Sequence, residues 1–156
     1  MKQMKRFAKG QSIVELALIL PFLIMITIGT MELGYYVYTY SELENATRIA
    51  SERASKTPPF TMNSGDDSSS DKCGVLIKEA ATDGVTISNL TYDDITISFP
   101  ENARARGKQV EVRIEYQGEW LSPVGERIFG QFLTFNFASR RPIVSLLTPD
   151  VAPNCT

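Results

Sequence analysis

Hydrophobic and polar positions divide the chain into unlike stretches. A dense apolar block occupies residues 13–40. Its central run, 13–31 extended through Leu33 to Tyr36, is long enough to cross a hydrocarbon core as a helix. Tyr35, Tyr36, Tyr38 and Tyr40 close the block and resemble an interfacial aromatic belt. Farther on, Leu43, Ala46, Ile49, Ala50 and Ala54 recur at spacings of three and four, an amphipathic helical stripe. Glu44, Arg48 and Glu52 form an i, i+4 charge ladder on another face. Pro58 disfavours helix in the residue before it, so the helix should stop near Lys56 or Thr57. The pattern predicts one helix from Gln11 to Lys56, ~70 Å long at 1.5 Å per residue.

The pattern then changes. Residues 63–71 are rich in Ser, Gly and Asp and lack apolar anchors, which predicts a loop. Its aspartates lack the glycine and terminal glutamate spacing of an EF-hand. Residues 74–81 read as a short helix and Asp83-Gly84 as a turn. Residues 85–92, 95–99 and 110–116 alternate apolar and polar, as half-buried strands do. Residues 121–129 hold a helical turn, and 133–140 form the last strand. The expected fold class is α+β: a long N-terminal transmembrane and amphipathic helix packed on a small antiparallel sheet. The expected organisation is a basic leader (1–10), a transmembrane helix (11–36), a helix extension (37–57), a flexible linker (58–72) and an extracytoplasmic α+β domain (73–156).

Charge adds a direction. The net charge of −2 conceals a head in which Lys2, Lys5, Arg6 and Lys9 stand without an acid. A basic head before an apolar run keeps the N-terminus in the cytoplasm. The remainder is mildly acidic, which argues against nucleic acid as a partner. A cleavable secretory signal would carry a shorter apolar run and small residues at a cleavage site. The segment after this run, Thr30-Met31-Glu32-Leu33-Gly34, lacks that pattern.

Candidate chemistry is sparse. The chain has no histidine, which removes the commonest general base and metal ligand. Serine and cysteine nucleophiles therefore lack the usual activating partner, and phosphate-binding or dinucleotide fingerprints are missing. Asp93-Asp94 fits turn chemistry better than an acid–base pair. Arg104, Arg106 and Lys108 suit a solvated loop tip. No cofactor, metal or catalytic residue is expected, and the chain reads as a non-enzyme. Cys73 and Cys155 lack zinc-type spacing. They are either free thiols or, outside the cytoplasm, one disulfide worth roughly 4 kcal/mol in the chain-entropy picture.

Glu15 is the most informative residue. A carboxylate at membrane depth costs up to about 3 kcal/mol, less near the interface, where the helix dipole favours it. Gly10 is followed by Gln11-Ser12-Ile13-Val14-Glu15 and then by apolar helix. This arrangement resembles the processing motif of type IV prepilins. Residues 11–21, ending in Pro21, resemble the N-terminus of the TadE-like family, minor pilins of tight-adherence (type IVc) systems. The resemblance is strong over residues 9–21, and the end of the last strand, Ser139-Arg140-Arg141-Pro142, is similar but less distinctive.

The resemblance implies a minor pilin or pseudopilin in the bacterial inner membrane, cut by a prepilin peptidase between Gly10 and Gln11. It implies sibling pilins and a pilus assembly platform as partners, and a pilus used in adhesion. Glu15 would pair with the new amine of a neighbouring subunit. Pro21 would bend or locally melt the helix on assembly, or be a proline tolerated in a membrane helix. The first mature residue would be glutamine rather than the phenylalanine of many type IVa pilins, which argues against N-methylation. The competing reading is an uncleaved single-pass anchor carrying a scaffold or binding domain of an envelope complex.

Overall fold

In the computed structural model, residues 7–59, 72–87, 89–130 and 133–145 are described. The elements are α1 (Phe7–Lys56), α2 (Lys72–Asp83), a 3-10 turn (Tyr92–Asp94), β1 (Ile95–Ser98), β2 (Gln109–Gly118), α3 (Pro123–Phe129) and β3 (Leu133–Pro142). The fold is α+β, as the patterning predicts. The 50 residues of α1 run without interruption through Pro21. The helix ends at Lys56, two residues before Pro58, with Arg53 and Lys56 complementing the dipole of its last turn.

Every described side chain from Gln11 to Thr27 is exposed. Burial begins at Glu32 and recurs at Thr39, Leu43, Ala46, Thr47, Ala50, Ser51, Ala54 and Ser55. That spacing is one helical face. The sheet has the order β1-β2-β3 and is antiparallel throughout. Ile97 faces Val112 across the first pair, and Ile114 faces Phe137 across the second. The inner face carries Ile95, Ile97, Val110, Val112, Ile114, Tyr116 and Phe135 and packs with α1 and α2. Three alanines on α1, all fully buried, leave the space that these branched and aromatic residues fill.

The end of α1 is fastened to the end of β3. Ser55 Oγ donates to the Pro142 carbonyl at 2.6 Å, and the Val144 N–H donates to the Ser55 carbonyl at 3.0 Å. Arg104 donates to the carbonyls of Pro59 and Pro58 at 2.8 and 3.2 Å. Both prolines are fully buried, so the first two residues of the expected linker are packed. The expected loop at 63–71 lies outside the described residues, and Lys72, placed at the end of the expected linker, opens α2 instead.

Several local expectations need correction. Residues 85–87 and 89–91 form no strand. Val85, Ile87 and Leu90 do pack against the core, but Asn89 adopts φ 82°, which breaks extended backbone. Their alternation reports one-sided burial without a ladder partner. Ile49 lies at the margin of the helical stripe, 37% exposed. The basic loop is partly committed to structure: Arg104 holds the two proline carbonyls, and Lys108 pairs with Glu101. Asp93-Asp94 does form a turn, in which Asp94 Oδ2 accepts from both the backbone and the hydroxyl of Thr91 at 2.8 Å.

Candidate functional site

Gly10 and Gln11 are consecutive residues within α1, and Glu15 stands one turn beyond Gln11 on the same helical face. Glu15 and the apolar side chains around it, such as Ile13, Val14 and Leu18, are all exposed. Among the described residues, nothing in the folded domain covers this half of the helix. α1 is long and apolar enough to cross a membrane, which suggests a single-pass anchor.

At the other end of the bare stretch stands Glu32, to which the sequence pattern assigned no role. It is 5% exposed. Its carboxylate accepts from the backbone N–H groups of Leu121 and Ser122, at 3.1 and 2.8 Å, and from the Ser122 hydroxyl. Ser122 is the N-cap of α3, and its Oγ also accepts from the Gly125 N–H at 3.3 Å. Pro123 fills the first helical position, where no donor is needed. A negative charge thus sits where the donors and dipole of α3 favour it. The contact spans 90 residues of sequence. A carboxylate closing an apolar run was the available signal, but its distant partner was not legible.

The tyrosines divide between two roles. Tyr36 lies against Phe135 with centroids 5.2 Å apart, and Tyr40 meets Phe137 edge-on at 4.8 Å. These two touch β3 with one side of their rings and, like Tyr38, remain partly open to the surroundings. Two of the four tyrosines of the expected interfacial belt thus also touch β3, while their outer sides remain open. Gly29, Glu32, Leu33, Tyr36, Trp120 and Leu133 line an apolar groove of about 440 Å³ beside this contact.

On the outer face of the sheet, Glu111 is buried between Arg140 and Arg113, the latter at 2.9 Å. The hydrogen bond from Arg140 is the main cause that lowers its carboxyl below the ordinary range; Arg113 adds to it against the opposing effect of burial. A polar depression nearby is lined by Asp93, Asp94, Glu115 and Asn136, among others, with no cysteine or lysine in its wall. Among the described residues, no group of three or more His, Cys, Asp or Glu side chains is arranged to hold a metal ion. Cys73 is fully buried and disulfide-bonded. Cys155 lies outside the described residues.

No curated protein and no solved structure matches the chain. A family match does exist, and it falls on the anchor helix rather than on the sheet. Residues 10–51 match the family model described as TadE-like protein, a pilus-related family and not an enzyme family, so the stretch from Gly10 through the bare half of α1 and into its packed half carries the TadE-like signature.

Proposed function

We propose that the chain is a membrane-anchored minor pilin or pseudopilin of a tight-adherence (type IVc) pilus used in adhesion. The observation that carries this reading is the TadE-like match over residues 10–51, which begins at Gly10 and lies on a helix whose first half is bare. The basic head keeps the N-terminus in the cytoplasm and the sheet domain outside the bacterial inner membrane. A prepilin peptidase cuts between Gly10 and Gln11. Cleavage frees an α-amine at Gln11, positive near neutral pH. In an assembly of bare helices this amine pairs with Glu15 of a neighbouring subunit, which spares both charges an unpaired burial. Pro21 supplies the local adaptability of the packed helix. Partners are the peptidase, sibling pilins and the assembly platform. Cys73 pairs with Cys155, which ties the end of the chain to the start of α2.

The test is the intact mass and N-terminal peptide map of the protein from membranes of its native host. A chain beginning at Gln11, lighter by two hydrogens than its reduced form, is the expected result. A chain beginning at Met1, in cells whose prepilin peptidase is active, overturns processing and leaves an uncleaved anchor with a scaffold or binding domain. A mass equal to that of the reduced chain overturns the disulfide alone.

A further inference from the structure

The junction between α1 and the sheet domain exposes an apolar patch that the pilin reading does not use. Leu121 and Val124 are 57% and 44% exposed, and Leu33 of α1 is 63% exposed. Trp120 lines the groove with Leu33, Gly29 and Tyr36. This surface is continuous with the bare stretch of α1, since Gly29 belongs to both and Leu33 follows one turn later.

Helix length sets its height. From Gln11 to Glu32, α1 rises about 32 Å at 1.5 Å per residue. A hydrocarbon core is about 30 Å thick. Glu32 binds Leu121 and Ser122 directly, so the patch stands at the level where the helix leaves hydrocarbon. No spacer of helix separates the last bare turn from the first covered one.

Several backbone donors of the patch are already taken, which suits a medium poor in water, where an unpaired donor is costly. The N–H groups of Leu121 and Ser122 are taken by Glu32, and that of Gly125 by Ser122. Pro123 has none to satisfy. Trp120 Nε1 donates to the Gly130 carbonyl at 2.7 Å. Glu119, Glu126 and Arg127 flank the patch and limit it to shallow seating.

We propose that Trp120, Leu121 and Val124 form a lipid-facing foot, seated in the headgroup–acyl boundary of the bilayer that α1 crosses, with Glu32 holding the foot to the helix. Tryptophan suits that boundary, with an apolar body and a polar ring nitrogen. The foot fixes the height and tilt of the sheet domain over the membrane. It requires α1 in a bilayer and is independent of cleavage after Gly10, so processing and seating can fail separately.

Trp120 is the sole tryptophan, so the unaltered chain carries its own reporter. The full chain is reconstituted in phosphatidylcholine vesicles whose acyl chains are brominated either near the headgroup or near the tail. Seating predicts a loss of Trp120 emission with shallow bromines, a smaller loss with deep ones, and little quenching by aqueous iodide. The Leu121→Asp, Val124→Asp double variant should lose the lipid quenching and gain iodide quenching. Two outcomes overturn the proposal: iodide quenching with no response to brominated lipid, or a Trp120 shielded from both, which means that protein rather than lipid covers it.

Discussion

Gly125→Ala inverts an ordinary expectation. Replacing glycine by alanine in a helix usually stabilises by about 1 kcal/mol. At position 125 a new Cβ would lie 2.8 Å from Glu32 Oε1, 3.0 Å from its Cδ and 3.1 Å from the Trp120 Cβ. Two of these atoms belong to a carboxylate held by three donors. Either α3 shifts or Glu32 withdraws. Overpacking costs about 1–3 kcal/mol, and each lost hydrogen bond to a charged group about 1.5–3 kcal/mol. Only part of this is lost if the carboxylate can rotate. Net destabilisation should be about 2 kcal/mol, a melting temperature lower by roughly 8 °C. The assay is thermal unfolding of the full chain in detergent micelles, followed by near-UV circular dichroism and Trp120 emission. The same substitution in a Glu32→Ala background has lost its main obstruction and should be close to neutral. Such non-additivity is the mark of a direct contact. A stabilised single variant, or strictly additive effects, would refute the seating of Glu32 on α3.

Two further outcomes are expected. The lowered carboxyl of Glu111 adds stability that is complete above the ordinary value of 4.5 and is lost as pH falls through the lower folded value, so Glu111→Gln should flatten part of the acid limb of a stability–pH curve and cost about 1 kcal/mol at neutral pH, since both arginines are partly exposed; an unchanged acid limb would count against the pairing. Among the described residues, Thr39 Oγ1 is the buried side-chain oxygen with no hydrogen-bond partner, so Thr39→Val should raise stability by about 1 kcal/mol in chemical unfolding, and a loss would mean that the hydroxyl is bonded after all.

Much of the architecture was legible because single residues carried it. Pro58 stopped α1 where its backbone rule says it should, and the alternation at 110–116 marked β2 at the centre of the sheet. Residues 85–92 show the limit of the same rule. Alternation reveals which side of a segment is buried but not whether a neighbouring strand is within reach, and Asn89 at positive φ ended the extension locally. Tyr36 and Tyr40 illustrate a second limit. An aromatic at the edge of an apolar run has the same composition whether it meets lipid or Phe135 and Phe137. The stretch that matches the TadE-like model was visible because its residues are adjacent. Glu32 was not, because its partners lie far along the chain and have unremarkable identities: two backbone amides and a serine.

The contacts between α1 and β3 have a mechanical consequence. Tyr36 meets Phe135, Tyr40 meets Phe137, Ser51 bonds Ser139 and Ser55 bonds Pro142, so both elements advance in the same direction. A pull along the helix axis therefore meets these four attachments side by side. They are loaded in shear and must slip together, whereas a sideways pull would open them one at a time. The sheet domain is built to resist tension delivered through its own anchor.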